Sequence, residues 1–345
     1  LVKNIGHCSG KEVVQLYVSA PQGKLGKPAR ELKAYEKTDV LAPGQEQVIS
    51  LEVSREFFAS YDDSGCTGHK SCYVLEAGDY EIYVGSDIRS AVLAGVFEVE
   101  ETTVTETLKE ALAPVKPFER LRPVAAENAL IAGSEPAPLR TVSAGDKIAV
   151  SHPKALEYTG YIGHKLADVY DGNIDMDAFI AQLSDEDLVC IVRGEGMCSP
   201  KVTPGTAGAF GGVTERLAGY GIPVGCCADG PSGIRMDCGS QAFSLPNGTA
   251  LGCTFNKELV EDLYEMEGLE LRKNRVDTLL GPGINIHRNP LNGRNFEYIS
   301  EDPHLTGTMA AAQIRGMGRA GVTGTIKHFA GNNQEFHRHD VDSIV

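Results

Sequence analysis

No apolar run in this 345-residue sequence approaches the roughly 20 residues that a membrane-spanning helix needs. The N-terminus also lacks the basic and then apolar pattern of a secretory signal. We therefore expect no membrane partner and a cytoplasmic location. Basic residues are also scarce, because 32 Lys and Arg stand against 47 Asp and Glu, a net charge of −15. Without clustered Lys and Arg, nucleic acid is disfavoured as a partner, and a neutral or cationic small molecule fits better.

The cysteine spacing shows no disulfide framework. Nine cysteines are an odd number, so not all of them can pair, and a reducing compartment is the simpler interpretation. Cys66 and Cys72 could face each other across a loop, but separate thiols are the favoured prediction. The sequence predicts no metal site and no cofactor.

The chain has the composition of a globular protein, with 42% hydrophobic and 23% charged residues. It begins at Leu1 inside strand-like sequence and stops at Val345 just after a charged loop. We expect it to be a piece of a longer polypeptide, completed by missing segments of that polypeptide. The sequence leaves a homo-oligomer open.

Residues 1–104 have an apolar period of two, which is typical of half-buried strands. The alternating positions are Val14, Leu16 and Val18, then Ile49, Leu51 and Val53, then Tyr80, Ile82 and Val84. Turn signals such as Pro43-Gly44 separate the runs, and Tyr80 stands where a sandwich places its tyrosine corner. The pattern predicts a fibronectin III-like or immunoglobulin-like β-sandwich.

Six prolines between residues 105 and 180 disfavour long helices and predict an extended linker. Helical sequence resumes at Met176, with Phe179, Ile180 and Leu183 at helical spacing. Ser184, with Asp187 three residues later, predicts the cap of a second helix. Residues 199–212 are rich in glycine, proline and threonine and predict a loop.

From residue 222 onwards, short apolar runs alternate with helical patterns. The runs cover 222–227, 276–280 and 322–326. Between them, Asn256 predicts the cap of one helix, and another helix precedes the third run. The apolar residues at helical spacing are Leu259, Val260, Leu263 and Met266 in the first helix, and Ala310, Ile314 and Met317 in the second. This alternation predicts a parallel sheet, whose strands all end at one edge.

Polar side chains follow each of these apolar runs and should therefore converge. The candidates for ligand binding are Asp229, Arg235, Arg294, Lys327, His328 and Arg338. Cationic donors around a carboxylate suit a ligand with several hydroxyl groups, and a sugar is the natural candidate. A phosphate is the competing ligand, but Gly281-Pro-Gly283 does not match a phosphate-binding loop, because proline lacks the amide hydrogen.

Four segments together carry a resemblance to glycoside hydrolase family 3, specifically to its β-glucosidases. They are Ala228-Asp-Gly-Pro-Ser-Gly-Ile-Arg235, Leu279-Leu-Gly-Pro-Gly-Ile-Asn-Ile-His-Arg288, Gly293-Arg-Asn-Phe-Glu-Tyr298 with Ser300-Glu-Asp-Pro303, and Lys327-His-Phe-Ala-Gly-Asn-Asn-Gln-Glu335. The resemblance implies a fibronectin III-like β-sandwich (1–104), a linker (105–180) and the first part of an α/β (β/α)8-like (TIM) barrel (181–345). Most members have the barrel first, so this chain resembles the members with reversed domain order.

The resemblance also implies where catalysis occurs. In this family the nucleophile is an aspartate on a later barrel strand, in a Ser-Asp-Trp-like motif, and this sequence contains no tryptophan. In most of the β-glucosidases, the acid/base glutamate comes from an α/β-sandwich domain that this chain lacks. We therefore predict no catalytic residue here, and expect both catalytic carboxylates outside the chain.

What the resemblance transfers is the sugar-binding subsite. Asp229 matches the family aspartate that accepts from sugar hydroxyls, and Arg294, Lys327 and His328 match the donors around the same ring. Arg235 and Arg338 match arginines near that site. The structural alternatives are that Asp229 is a turn residue or helix cap, and that Arg294 forms a salt-bridged loop with a nearby glutamate.

The other polar residues of these segments are predicted to have structural roles. Acids that hold loops by accepting hydrogen bonds are Glu297, Glu301, Asp302 and Glu335. Loop histidines are His287, His337 and His339.

Substrate choice has one indicator in the sequence. The N-acetylglucosaminidases of the family carry a further histidine after Lys-His-Phe, and here Ala330-Gly-Asn-Asn333 stands in that place, which disfavours that activity. The expected reaction is the release of terminal β-D-glucose from β-glucosides and cello-oligosaccharides. The alternatives are a β-xylosidase or α-arabinofuranosidase of the same family, or a non-catalytic sugar-binding fragment.

Overall fold

The structure, a computed structural model, describes residues 1–127 and 129–341. The chain divides into two compact units. The first is built around Leu1–Val150, and the second consists of Ser151–Glu301 and Thr306–Arg338. The predicted barrel domain ends at residue 345, and its last four residues lie outside the described part of the chain.

The first unit contains two antiparallel sheets of the predicted sandwich. The strands are β1 (Val2–Lys3), β2 (Val13–Ser19), β3 (Glu31–Lys37), β4 (Glu46–Gln47), β5 (Ser60–Asp62), β6 (Cys72–Leu75), β7 (Gly78–Gly85), β8 (Val92–Val99) and β9 (Thr103–Thr107). One sheet has the strand order β3-β2-β7-β8, the other has the order β5-β6-β9, and β1 pairs with β4.

The core of this unit forms where alternate residues of the strands point inward. Val18, Leu75 and Tyr80 are almost fully buried in one cluster, and Phe58 packs with them. The Tyr80 hydroxyl donates to the backbone oxygen of Glu76 at 3.1 Å, which confirms the predicted tyrosine corner.

One predicted strand is absent from the described structure. Residues 48–54 lie in neither strand nor helix, although Ile49, Leu51 and Val53 alternate. Val53 nevertheless packs against the core cluster. The alternation therefore reflects side-chain burial in an extended segment without ladder hydrogen bonds, and the prediction of a strand was wrong.

The segment predicted as a linker has more regular structure than its sequence indicated. Strands β10 (Glu119–Ala126) and β11 (Ala129–Pro136) form an antiparallel hairpin, and α1 (Ala144–Ser151) follows. Arg122 ion-pairs with Glu135 across the hairpin at 2.6 Å. Charged pairs across a hairpin do not produce an alternation of apolar residues, so the sequence pattern did not predict this hairpin.

The second unit contains a four-stranded sheet of β12 (Gly208–Gly211), β13 (Val224–Asp229), β14 (Thr278–Leu280) and β15 (Thr323–Gly324). The strand order is β12-β13-β14-β15. The last three are parallel, as the alternation predicted. β12 is antiparallel to β13, with Gly208 opposite Cys227, so part of the predicted loop at 199–212 is a strand.

The helices of this unit are α2 (Leu166–Tyr170), α3 (Met176–Ala181), α4 (Asp185–Arg193), α5 (Glu215–Gly219), α6 (Gly248–Gly252), α7 (Lys257–Lys273) and α8 (Pro303–Arg319). Two of them, α4 and α7, begin at the predicted caps Ser184 and Asn256. The Ser184 hydroxyl accepts from the Asp187 amide, and the Asp187 carboxylate accepts from the Ser184 amide, which is a capping box. The Asn256 side chain likewise accepts from the Leu259 amide at 3.1 Å.

The buried face of α7 agrees only in part with the predicted one. Val260 is fully buried, as predicted, whereas Leu259 and Met266 are exposed. The inner face also contains the aromatic Tyr264 and the acidic Glu267. Hydrophobic spacing alone therefore did not locate the whole inner face, because that face is set by what packs against the helix.

None of the helices in the described part of the chain is both long and apolar enough to cross a membrane. All nine cysteines are free thiols, including Cys66 and Cys72.

Candidate functional site

The polar segments that follow the parallel strands lie side by side. Asp229 at the end of β13 pairs in register with Leu280 of β14, so these two strands end together. Beyond the strand ends, the Ile284 amide donates to the Lys327 oxygen at 2.6 Å, and the Lys327 amide donates to the Pro282 oxygen at 3.0 Å. The backbone thus brings the segment after β14 against the segment after β15.

The first cluster of the site is centred on Asp229. The Lys327 ammonium donates to Asp229 Oδ1 at 2.5 Å, and Arg235 Nη1 lies 4.0 Å from Asp229 Oδ2. Burial by itself would raise the pKa of Asp229, but the hydrogen bond and charge of Lys327 outweigh it and lower that pKa. A third of the Asp229 side chain remains exposed. It is therefore an ionised acceptor with room for a ligand.

A tight loop carries Asp229 and Arg235. The Arg235 amide donates to the Asp229 oxygen at 2.8 Å and closes the loop. A Cβ at Gly230 would lie 1.9 Å from the Gly233 oxygen, and Gly230 has φ 118°, so only glycine fits there. The Arg235 side chain is 60% exposed and bonds Asp237 more closely than Asp229.

The second cluster is centred on His328. Arg294 Nη1 lies 3.0 Å from Nε2, and the Tyr298 hydroxyl lies 2.8 Å from Nδ1. A guanidinium can only donate, so Nε2 accepts, and the neutral ring carries its proton on Nδ1 and donates it to Tyr298. Burial, followed by the charge of Arg294, lowers the pKa of His328 to about 4, which keeps the ring neutral at physiological pH.

Two glutamates hold the arginines of this cluster. Arg294 forms an ion pair with Glu297, and its Nη1 lies 3.7 Å from Glu335 Oε1. Arg338 Nη1 lies 3.2 Å from Glu335 Oε2, and Asn332 Nδ2 donates to Glu335 Oε1 at 2.9 Å. The predicted loop-holding role of Glu297 and Glu335 is confirmed by these contacts.

The structure brings the six predicted residues together to different degrees. Asp229 contacts Lys327 directly, and Arg294 contacts His328 directly. Because Lys327 and His328 are consecutive, the two clusters are adjacent. Arg235 and Arg338 are exposed and reach the clusters through Asp229 and Glu335, respectively. His287, His337 and His339 lie outside strands and helices, as predicted.

Sequence reasoning missed three members of the site, Tyr298, Asn285 and Asn332. Tyr298 is fully buried and accepts from Asn332 Nδ2 at 2.6 Å as well as from His328. Asn285 Oδ1 accepts from the Asn332 amide at 2.8 Å and so fixes the segment after Lys327. All three residues lie inside the segments that carried the resemblance, but nothing in their local sequence indicated these contacts.

The chemistry of the site is that of paired donors and acceptors. Each of the two direct contacts joins one cationic donor to one acceptor: Lys327 to Asp229, and Arg294 to His328 Nε2. A hydroxyl group both donates and accepts, so it can enter either contact without leaving a polar atom unpaired. Among the described residues there is no cluster of three or more His, Cys, Asp and Glu that could hold a metal ion.

Two family models match the chain, in the order that the fold indicates. Residues 12–88 match a fibronectin type III-like domain, and residues 182–342 match the N-terminal domain of glycosyl hydrolase family 3. The sandwich therefore precedes the hydrolase domain.

Relatives match over the whole chain. A beta-glucosidase of Ruminococcus albus is 57% identical over 344 residues, which is all of this chain and 36% of that protein. Beta-glucosidase A of Butyrivibrio fibrisolvens is 34% identical over 99% of this chain and 42% of its own length. The crystal structure of a beta-glucosidase from Paenibacillus barengoltzii superimposes with a TM-score of 0.95 at 56% identity, over 99% of this chain and 38% of that one. The chain thus spans about two-fifths of these relatives or less.

Proposed function

Because the chain belongs to glycoside hydrolase family 3, we propose that it supplies the sugar-binding subsite of a retaining β-glucosidase. The complete protein would release terminal β-D-glucose from β-glucosides and cello-oligosaccharides. The observation that carries this proposal is the ion pair of Asp229 with Lys327, set beside the contact of Arg294 with His328.

The geometry suits adjacent hydroxyl groups of one sugar ring. One hydroxyl donates to the Asp229 carboxylate while accepting from Lys327. Another accepts from Arg294 while donating to His328 Nε2, which is an acceptor because the ring is neutral. Hydrogen bonds to charged groups are worth about 1.5–3 kcal/mol each, so a ligand with two such hydroxyls would bind well.

We propose that the carboxyl groups which break the glycosidic bond come from parts of the complete protein beyond this chain. A retaining enzyme uses two carboxyl groups about 5–5.5 Å apart, one as nucleophile and one as acid/base. Asp229, Glu297 and Glu335 are each bound to a cation, which suits holding a substrate or an arginine. A nucleophile that attacks C1 and a group that protonates the leaving oxygen would both have to approach the bound sugar from outside these clusters.

Two other functions are kept as alternatives. The first is a β-xylosidase or α-arabinofuranosidase of the same family. A β-xyloside would use the same contacts, because xylopyranose differs from glucopyranose only by lacking the hydroxymethyl group. The names of both curated relatives favour the glucoside. A non-catalytic sugar-binding fragment would bind glucose without cleaving a glycoside.

A panel of nitrophenyl glycosides tests the proposal. The protein expressed from its complete reading frame should release nitrophenol from the β-glucoside roughly tenfold faster, in kcat/KM, than from the β-xyloside, since the contacts of one small group are worth about 1–3 kcal/mol. The N-acetyl-β-glucosaminide should be the poorest substrate. Equal or faster cleavage of the xyloside would reject the glucoside preference, and glucose binding without any cleavage would support the binding fragment.

A further inference from the structure

Glu267 is a buried acid that the site described above does not use. It lies on the inner face of α7 and is 2% exposed. Neither of its carboxyl oxygens makes a hydrogen bond of ordinary geometry in the described structure. Burying an ionised carboxylate without a partner costs free energy, so burial favours the protonated, uncharged form of such a group.

Glu267 lies against the loop that carries Asp229. Its carboxyl faces the backbone amide of Gly233, in the middle of that loop. One turn earlier on α7, the Tyr264 hydroxyl donates to the Pro231 oxygen at 2.8 Å. One turn later, the Glu270 carboxylate accepts from the Phe243 amide at 3.1 Å. Positions three apart lie on one helix face, so the three side chains support residues 231–243 together.

The loop has little freedom to absorb a shift at Gly233. A Cβ at Gly233 would lie 2.1 Å from the Phe243 oxygen, so this part of the backbone is closely packed. The Leu245 amide also donates to the Ser232 oxygen at 3.0 Å. A displacement of Gly233 would therefore also move Asp229 and Arg235, whose backbones are hydrogen-bonded to each other.

We propose that Glu267 is a positioning residue, which holds the loop of Asp229 and Arg235 in its ligand-binding conformation as long as its carboxyl group is uncharged. This inference rests on the proposed function only in taking the ligand to be a sugar. Glu267 itself does not touch the ligand and acts through the backbone of Gly233.

The protonation of Glu267 makes the proposal testable by pH. Burial, and then the negative charge of Glu270, raise the pKa of Glu267 from 4.5 to about 8. The pKa of Glu267 is higher in the folded protein than in the unfolded chain. The stabilisation of the folded loop by the neutral carboxyl group is therefore present at low pH and is lost as the pH rises through about 8. The groups facing it are Glu270 and Tyr264 on α7 and the Gly233 amide of the loop. On α8, the apolar Met317 and Ala320 pack against Gly268, the residue that follows Glu267.

The first experiment measures KM and kcat of the complete protein for nitrophenyl β-glucoside between pH 6 and 9.5. About one molecule in ten keeps the Glu267 proton one unit above the pKa, so KM should rise roughly tenfold by pH 9. Glu267→Gln cannot ionise and should remove that rise while leaving kcat at pH 7 within about twofold. Glu258→Gln, an exposed glutamate of the same helix, should follow the unmodified protein.

A second variant and a second measurement address the loop directly. Tyr264→Phe removes the hydroxyl that holds Pro231 and should raise KM several-fold at every pH without changing the pH dependence. Hydrogen exchange of residues 230–245, corrected for the intrinsic rate, should increase above pH 8 in the unmodified protein and not in Glu267→Gln.

The outcomes separate this inference from the proposed function. If the protein cleaves the glucoside but KM and loop exchange show the same pH dependence with and without Glu267→Gln, the positioning role is overturned. If the protein cleaves no glycoside, the proposed function fails, and hydrogen exchange alone still decides whether Glu267 orders the loop. Should Glu267→Gln not fold, loop exchange of the unmodified protein that does not change from pH 7 to 9 overturns the inference.

Discussion

Replacing Asp229 with alanine is expected to lower kcat/KM for a β-glucoside by about a hundredfold or more and to raise KM. The substitution removes the carboxylate that would accept from the sugar hydroxyls, and hydrogen bonds to charged groups are worth about 1.5–3 kcal/mol each. It also leaves the Lys327 ammonium, which is only 16% exposed, without its partner. Each factor of ten in kcat/KM corresponds to about 1.4 kcal/mol, so the loss of two such interactions gives the expected decrease in kcat/KM.

Two matched variants show whether this loss is specific. Asp229→Asn keeps the shape and loses the charge, so it should fall between the unmodified protein and Asp229→Ala. Asp262→Ala removes an exposed aspartate of α7 whose nearest cation, Arg319, is 3.5 Å away. It should change kcat/KM by less than about twofold. A KM that is unchanged in Asp229→Ala would reject the assignment of Asp229 to the subsite.

In the first unit, replacing Lys27 with methionine is expected to destabilise the fold by about 3–5 kcal/mol. Lys27 is 1% exposed and its ammonium donates to Glu76 Oε2 at 2.6 Å and to the Pro21 oxygen at 2.6 Å. Glu76 Oε1 also accepts from the Lys24 amide at 2.8 Å. Removing the cation leaves a buried carboxylate whose remaining hydrogen bond does not balance its charge.

Calorimetric unfolding of the complete protein measures this effect as a lower Tm for the transition of the first unit. Lys3→Met is the control, because Lys3 and Glu46 form an exposed pair at 2.8 Å, and its loss should cost less than about 1 kcal/mol. Combining Lys27→Met with Glu76→Leu should recover much of the stability, since no buried charge then remains unpaired. Equal Tm shifts for Lys27→Met and Lys3→Met would contradict the importance of burial.

The sequence predicted those parts of the fold that depend on local interactions. The caps at Ser184 and Asn256 and the corner at Tyr80 involve residues only a few positions apart, so their patterns are readable. Other parts of the fold depend on packing between segments that are distant in the sequence. These parts are the hairpin of β10 and β11, the antiparallel strand β12 and the inner face of α7. Tyr264 and Glu267 face inward because a loop from residues 231–243 lies against them, which no periodicity of α7 reveals.

The candidate site was predictable to the extent that parallel strands share an edge. Asp229 and Lys327 are 98 positions apart, and they meet because each follows a strand of one parallel sheet. The contacts of Tyr298 with His328 and Asn332 were missed, since a tyrosine after a turn has no distinguishing local pattern. The protonation of His328 also needed the structure, because it follows from burial and from the position of Arg294.

A crystal structure of the complete protein with bound glucose tests the central claim most directly. We predict that one sugar hydroxyl lies within about 3 Å of both Asp229 and Lys327, and that another lies between Arg294 and His328. Glucose bound elsewhere, with both of these contacts unchanged, would contradict the assignment of this site to sugar binding.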